Sequence, residues 1–368
     1  MIKKILKKMD YVLIAIVVLL FLIGIVALYS ANGGINGDTG EVTKQIIWFV
    51  VGILGAFAII TIDYNTIGKL WLPLYIIILL LLVGVLFTKP INGATSWFTF
   101  GGISIQPSEF AKIVLILGTA KVVEFFKKKD TLNKPISILA ILLFVLIPVV
   151  LIIKQPDYGT AMVILVILVS MLFVAGIKWR YVISSILLVA ILIPLAYVYV
   201  LPQHAKNRID VFLNPQLDPR GAGYNIIQSK LAVGSGQLWG MGLFEGNQTQ
   251  LGILPMKTTD FIYAVISEEM GFIFSALVVV LFVILLVRIL DIAKTSKDFY
   301  GSVICTGVFG MILAHFIENV GMTMGLMPIT GIPLPFISYG GSAMLTNMIA
   351  IGLVLSVSGR RKKNLFLE

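Results

Sequence analysis

Three short segments of this chain place ionisable side chains at the edge of an apolar run. The first, LPMKTTDFIYAVISEE, carries Asp260 directly ahead of a strongly apolar helix. Partial removal from water makes a carboxylate a better general base. An acid in this position is also typical of a helix N-cap or first turn, where it stabilises the helix without any chemistry. The sequence leaves both interpretations of Asp260 open.

The second segment is KQPDYGT (154–160), in which Asp157 follows Pro156 and precedes another apolar run. Proline and a capping residue just ahead of an apolar run indicate a helix start, so capping is one interpretation of Asp157. A carboxylate next to Lys154 and Gln155 near a membrane surface also suits the wall of a polar cavity. Position alone does not choose between the two roles.

The third segment is QPSEFAK (106–112), where Pro107 suits a first helical turn and Glu109 and Lys112 are three residues apart. This spacing places both side chains on one helix face, where they can form an ion pair. Ionisable groups at membrane depth are costly and are therefore usually functional. Glu109 and Lys112 are candidates for either role.

Other polar positions favour packing over chemistry. His315, Glu318 and Asn319 lie in an apolar run and predict hydrogen bonds between helices. Gly321 and Gly325 have the spacing that allows close helix contact. The segment GSGQLWGMGLFEG (234–246) lacks the Gly-Lys-Ser/Thr ending of a phosphate-binding loop. It instead predicts a flexible loop packed onto the membrane.

The composition excludes a soluble globular protein. The 368 residues are 58% hydrophobic and 12% charged, with a mean hydropathy of +1.01, whereas ordinary domains are about 25% charged. A single cysteine, Cys305, excludes an internal disulfide, and two histidines are too few for a zinc site. Any metal would be a hard cation held by carboxylates, water or a substrate phosphate.

The elements that must position these residues are membrane spans, and we predict an all-α polytopic membrane protein with ten transmembrane helices in a single domain, 1–368. The first apolar run follows MIKKILKKMD and is long enough to span, so we expect a helix there and not a cleaved leader. The predicted spans are 11–29, 45–61, 71–87, 108–123, 136–153, 160–177, 181–200, 263–287, 301–320 and 340–357.

The distribution of basic residues predicts the orientation. With both termini cytoplasmic, about two thirds of the lysines and arginines fall in cytoplasmic segments. This asymmetry accounts for the net charge of +10 without nucleic acid. It places the long polar loop 201–262, between helices seven and eight, outside the cell. The segments 93–112, 154–160 and 325–342 then share that face, so we expect an outward-facing site.

Read together, the motifs resemble one known family. NGATSW, QPSEFAK, QPDYGT, GYNIIQSK, GNQTQ, TDFIYAVISEEMGF and GIPLPFISYGGS occur in order along the whole chain, and they are similar to the SEDS family of bacterial shape, elongation, division and sporulation proteins. GYNIIQSK with GNQTQ, and GLMPITGIPLPFISYGGS, are closer to the RodA branch than to FtsW.

The resemblance implies a peptidoglycan glycosyltransferase for cell elongation. Such an enzyme polymerises lipid II into β-1,4 glycan on the outer face of the cytoplasmic membrane, beside a class B penicillin-binding protein. The family's essential aspartate falls on Asp260 and its helix aspartate on Asp157, while the QPSE glutamate and the following lysine fall on Glu109 and Lys112. The chain departs from the family pattern at Met256 and Thr258, where an acid and a histidine are usual, and at Ser96, where arginine often stands before Trp97.

Polymerisation from an α-linked undecaprenyl pyrophosphate donor to a β-linked glycan needs one inverting displacement. We therefore expect a base, Asp260, and positive charge for the departing pyrophosphate. Candidates for that charge are Lys112, Lys44, Arg208 and Lys230, with Mg²⁺ or Mn²⁺ as a possible addition. Glu109 and Asp157 would organise the cavity or hold the metal. A lipid II flippase, a scaffold for a penicillin-binding protein, and a division or sporulation paralogue are the alternatives.

Overall fold

The computed structural model describes residues 6–34, 37–90, 93–101, 103–181, 203–219 and 221–361, with isolated positions 183, 184, 187 and 199. Their helices are α1 Tyr11–Ala31, α2 Gly40–Thr61, α3 Tyr64–Lys69, α4 Trp71–Val85, α5 Pro107–Lys128, α6 Pro135–Lys154, α7 Tyr158–Ala175, α8 Gln203–Leu213, α9 Ala222–Ser235, α10 Asn247–Gln250, α11 Ile262–Lys294, α12 Phe299–Thr323 and α13 Gly341–Ser358, with a 3₁₀ turn at Pro215–Leu217.

Each predicted span except the seventh corresponds to one of these helices, and the seventh, 181–200, lies almost wholly outside the described residues. Within the described part, seven helices are long and apolar enough to cross a membrane: α1, α2, α6, α7, α11, α12 and α13. The helix α4 has 15 residues, and α5 carries four ionisable residues among its first 18. The membrane-protein class is confirmed, whereas the number ten stays a prediction.

A short hairpin departs from the all-helical expectation, and the long polar loop adds short helices to the predicted spans. A two-stranded antiparallel hairpin, β1 Phe98–Phe100 and β2 Ile103–Ile105, precedes α5 and pairs Phe98 with Ile105. The long polar loop is also ordered in good part, because it contains α8, α9 and α10. The sequence did not predict these elements. The two strands have three residues each, too few to show the alternation of apolar and polar residues, and α9 lies in a segment rich in glycine.

The helix α12 forms the centre of the molecule. It packs against α5, α7, α11 and α13, and most of its side chains are buried. The helix α13 packs closely along α2, where a Cβ at Gly352 would lie 2.9 Å from the Cα of Ala56. Small residues that let backbones approach are the usual basis of helix association in lipid. The loops that carry the candidate residues are thus attached to closely packed helices, α12 and α13.

The end of the bundle that carries the predicted cytoplasmic residues is fastened by charged pairs. Arg288 of α11 donates to Asp10, which caps α1, and Arg360 lies 3.4 Å from Asp63. Asp298 caps α12 and accepts bonds from Tyr64 and Asn65. Burial alone would raise the pKa of Asp298. The bonds from Gly301 N–H, Tyr64 and Asn65 outweigh burial, and the pKa is lowered.

Candidate functional site

The segments that bear the sequence motifs meet at the opposite end of the bundle. The side-chain amide of Gln106 donates to Asp157 (2.9 Å), and its backbone amide donates to the hydroxyl of Ser342 (3.1 Å). Gln45 of α2 donates to the carbonyl of Ser338 (2.8 Å). These contacts join α2, the hairpin, α7 and the segment that leads into α13. The convergence of motif-bearing segments is therefore a feature of the fold, as the sequence predicts.

Asp260 is half-buried and lies two residues before α11. A Cβ built at Gly331, whose φ is +77°, would lie 3.5 Å from its Oδ2 atom. The carboxylate therefore borders residues 331–333, which we call the turn. The carbonyl of Asp260 accepts a bond from Asn319 of α12 (2.9 Å). The residue that caps α11 is Phe261, without a side-chain cap bond. The cap position of α11 thus falls one residue after Asp260.

Asp157 caps α7, since its Oδ1 accepts from the amide of Thr160 (3.1 Å). Its Oδ2 atom accepts from Gln106 and from Ser108 (3.0 Å). The same helix end touches the turn beside Asp260, because a Cβ at Gly159 would lie 2.7 Å from Ile332. Asp157 and Asp260 therefore flank one turn, and both interpretations of Asp157, cap and polar wall, are compatible with its position.

Glu109 and Lys112 form the ion pair that their spacing predicts, with 2.8 Å between Nζ and Oε1. The pair is buried: Lys112 is 0% exposed and Glu109 is 3% exposed. The ammonium group also lies 2.7 Å from Nε2 of His315 on α12. Because a lysine ammonium only donates, Nε2 must accept, and Nδ1–H donates to the carbonyl of Pro333 (3.1 Å). The pair thus reaches the same turn through His315.

Asn319, one helical turn after His315, also contacts this turn, since it donates to the carbonyl of Ile332 (2.8 Å). His315 confirms the predicted bond between helices, whereas Asn319 bonds to two loops. Of the two glycines whose spacing predicted close helix contact, Gly325 lies against another helix. Gly321 packs against Met327 of the following turn, and Gly325, at φ +69°, packs against the Lys230 side chain of α9. The pair serves the loop and not a contact between membrane spans.

The cationic candidates fall into different settings. Lys44 on α2 and Lys230 on α9 are exposed at the motif-bearing end. Lys112 is enclosed by protein partners. Arg208 lies on α8, and its side chain is outside the described residues. Lys44 and Lys230 are thus the candidates that solvent, or a bound anion, can reach directly.

Sequence reasoning missed the adjacent carboxylates Glu268 and Glu269. Glu268 is 0% exposed and accepts from the amides of Gln248 (2.7 Å) and Thr249 (3.0 Å) and from the Thr249 hydroxyl. Glu269 accepts from Gln250 (2.7 Å). These carboxylates hold the GNQTQ segment on α11. Two acids inside an otherwise apolar span were the available signal.

Lys257, close to Asp260 in sequence, donates to the carbonyl of Thr249 (2.8 Å). Burial lowers the pKa of Lys257, although Glu269 and Glu41 act in the opposite direction. Its ammonium group fixes the loop between α10 and Asp260. Lys257 therefore adds positive charge on the approach to the candidate site.

The glycine-rich segment 234–246 docks on α11 through its backbone. The helix α11 is kinked at Gly271 (φ +78°, ψ −173°), which interrupts its hydrogen bonds. The amides of Met241 and Gly242 donate to the carbonyls of Glu268 and Glu269. The amides of Phe272 and Ile273, beyond the kink, donate to the carbonyls of Gln237 and Leu238. The glycines thus bring backbone into the kink, and packing of this segment on the membrane stays a prediction.

The part of the chain that the structure describes contains no group of three or more His, Cys, Asp or Glu side chains that could hold a metal ion. Asp157 and Asp260 are the half-buried carboxylates of the site. A hard cation there would need water or substrate phosphate oxygens to complete its coordination. The donor set fits Mg²⁺ or Mn²⁺ only as an ion shared with a phosphorylated substrate.

Comparison with known proteins agrees with this arrangement. Residues 10–363 match the FtsW/RodA/SpoVE family, described as cell cycle protein. Peptidoglycan glycosyltransferase RodA of Treponema pallidum is 34% identical, with 96% of this chain and 98% of the relative covered. Peptidoglycan glycosyltransferase MrdB of Escherichia coli K12 is also 34% identical, covering 96% and 94%.

Two solved structures share the fold. One, from work on the structural coordination of polymerization and crosslinking by a peptidoglycan synthase complex, superposes with a TM-score of 0.83 at 29% identity, covering 97% of this chain and 99% of the other. The other, rod shape determining protein RodA of Thermus thermophilus, has a TM-score of 0.72 at 27% identity, covering 97% and 98%. The resemblance drawn from the motifs is confirmed.

Proposed function

Because this chain belongs to the FtsW/RodA/SpoVE family, we infer that it is a peptidoglycan glycosyltransferase, as relatives aligned over nearly their full length are named. FtsW and stage V sporulation relatives match at similar identity. We propose lipid II as the substrate and cell elongation as the role, on the motif resemblance to the RodA branch.

The observation that carries the chemical proposal is the position of Asp260. Its half-buried carboxylate borders the turn that α7, capped by Asp157, contacts at Gly159, and that Lys112 (through His315) and Asn319 also reach. We propose that this carboxylate takes the proton of the acceptor hydroxyl. The hydroxyl oxygen then forms the new bond to the donor's anomeric carbon. The bond from that carbon to the pyrophosphate breaks, and the pyrophosphate leaves with the electron pair.

The supporting residues receive roles that follow from their contacts. Both oxygens of Asp157 are occupied by protein donors, so it fixes the ends of α5 and α7 and does not compete for the proton. Glu109 and Lys112 hold the His315 ring and, through it, Pro333. Exposed Lys44 and Lys230, with Arg208, are proposed to attract the pyrophosphate.

We propose that the site faces outward from the cytoplasmic membrane. The charge distribution supports this orientation, because the opposite end of the bundle carries most of the lysines and arginines. A class B penicillin-binding protein is the proposed partner. The structural relative from a peptidoglycan synthase complex that polymerises and crosslinks supports it.

The test is polymerisation of fluorescent lipid II by purified protein in detergent or liposomes, with and without the cognate partner. Asp260→Asn, which keeps shape and removes the charge, should abolish polymer formation. Glu245→Gln, an exposed acid in the same long loop, is the control and should retain activity. Near-normal polymer from Asp260→Asn refutes the base assignment. Lipid II movement across liposomes without polymer would indicate a flippase, and neither activity would indicate a scaffold.

The metal proposal has a separate test. If a divalent ion joins the pyrophosphate to the site, removal with EDTA should slow polymerisation, and added Mg²⁺ or Mn²⁺ should restore it. Affinity for a non-reactive lipid pyrophosphate, measured with and without the ion, should change in the same direction. Equal affinity in both conditions contradicts a bridging ion.

A further inference from the structure

The backbone on which Asp260 stands is held in an unusual way. Three consecutive carbonyl groups, at positions 258, 259 and 260, each accept a hydrogen bond from α12 or from the segment that leads into α13. The donors are the amide of Tyr339 to Thr258 (2.9 Å), the hydroxyl of Ser338 to Thr259 (2.6 Å) and the side-chain amide of Asn319 to Asp260 (2.9 Å). We call Asn319 and Ser338 the carbonyl clamp.

The clamp residues are themselves fixed on their other sides. Asn319 is 0% exposed and uses the same amide group to hold Ile332. Ser338 is 4% exposed, and its hydroxyl accepts from the amide of Leu334 (2.8 Å). The side chain of Gln45 then bridges the carbonyl of Ser338 and the amide of Gly340. Buried polar groups that lose a partner are costly, so this network holds one geometry.

The clamp also joins the two segments that border the carboxylate. Asn319 holds the carbonyls of Asp260 and Ile332 together, and Ile332 adjoins Gly331, the residue against which the Asp260 carboxylate lies. A shift of either segment would therefore change the distance between the carboxylate and the turn. Misplacement by about 1 Å costs as much as a hundredfold in rate.

We infer that Asn319 and Ser338 are positioning residues for glycosyl transfer, acting through the backbone of residues 258–260 and not by contact with the substrate. The inference rests on the proposed role of Asp260 as the base. It predicts that the clamp controls turnover, with little influence on the binding of lipid II, because neither residue is exposed to it.

The kinetic test uses two variants of similar volume: Ser338→Ala removes the hydroxyl that donates to Thr259, and Asn319→Leu removes the amide that donates to both Asp260 and Ile332. We expect kcat for polymerisation to fall about tenfold to a hundredfold, with KM for lipid II within about twofold of the parent. The controls are Thr306→Val, which removes a buried hydroxyl on the same helix that donates only to Ser302 one turn earlier, and Ser356→Ala, a buried serine at the opposite end of the bundle. Both controls should keep kcat.

A structural readout separates positioning from general damage. The chain has one cysteine, Cys305, which is buried, so Asp260→Cys introduces one accessible thiol. In this background, Asn319→Leu and Ser338→Ala should raise the rate of labelling by a membrane-impermeant maleimide by about threefold or more, as expected when a fixed segment loosens. Thr306→Val should not change it.

The outcomes are distinguishable. Unchanged labelling of the thiol introduced by Asp260→Cys in both clamp variants, or kcat equal to that of the controls, overturns the clamp. A loss of kcat that Thr306→Val reproduces also overturns it, because the effect is then one of general stability. Retained polymerisation by Asp260→Asn refutes the base assignment alone, whereas the labelling rates still decide whether Asn319 and Ser338 fix the segment.

Discussion

Replacement of Lys112 by methionine should destabilise the protein strongly. In the native structure the ammonium group is 2.8 Å from Glu109 and 2.7 Å from His315, with no access to solvent. The Oε2 atom of Glu109 already has no hydrogen-bond partner among the described residues. Lys112→Met therefore leaves a buried carboxylate and an imidazole nitrogen without donors. Removal of one partner from a buried ion pair costs about 3–5 kcal/mol.

The expected change in melting temperature follows from the size of the chain. The entropy of unfolding is about 2.1 cal/mol/K per residue, so for a chain of 368 residues this cost corresponds to a fall of about 4–6 °C. Glu109→Gln should be milder, because glutamine keeps an acceptor for Lys112. The double variant Glu109→Gln/Lys112→Met removes both charges and should recover most of the loss, as neutral replacements of buried pairs often do.

Cys305 provides the assay. It is the single cysteine, lies on the same helix as His315 and is 0% exposed, so a thiol-reactive dye reports the unfolding of the bundle core directly. Lys128→Gln, which breaks an exposed pair with Glu124 further along α5, is the matched control and should shift the melting temperature by less than about 1 °C. A double variant whose loss equals the sum of the single losses would refute the coupling of the two charges.

Three further predictions concern other parts of the molecule. Asp157→Asn keeps an oxygen that caps α7 at Thr160 but puts an amide nitrogen where Oδ2 accepts from Gln106 and Ser108. Polymerisation should therefore fall about tenfold, while the melting temperature stays within about 2 °C; equal activity would contradict a role in the site. Gly240→Ala should destabilise the protein more than Gly252→Ala in the same melting assay. Both glycines have positive φ, but only at Gly240 would a Cβ lie 2.2 Å from the carbonyl oxygen of Glu269. Asp298 has a lowered pKa in the folded state, so its stabilisation is present at neutral pH and is lost as the pH falls below the ordinary pKa of aspartate and through the lowered one. In Asp298→Asn the melting temperature should therefore fall less steeply as the pH is lowered in the acidic range. An unchanged dependence on pH would assign the acid sensitivity to other carboxylates.

The membrane helices could be predicted because a span must hide its backbone from lipid, and long apolar runs record that need locally. The i,i+3 pair of Glu109 and Lys112 is equally local. The sequence could not predict the further partner of that pair, because His315 is far away in sequence and its tautomer is set by the carbonyl of Pro333. The contacts of Asn319 with Asp260 and Ile332 likewise depend on tertiary packing, which no periodicity reveals.

The kink at Gly271 explains why the loop that carries the site is ordered. A kink in a membrane helix frees backbone groups, and these are costly in lipid unless other protein groups pair with them. Here the segment 237–242 supplies two amides and two carbonyls to the kink, so neither the kink nor the loop is satisfied alone. The turn before the kink also carries Glu268 and Glu269, whose carboxylates hold residues 248–250. Lys257 then ties that segment to the approach to Asp260. The interruption of α11 is therefore what anchors the polar loop to the bundle and places its end, with Asp260, against α12.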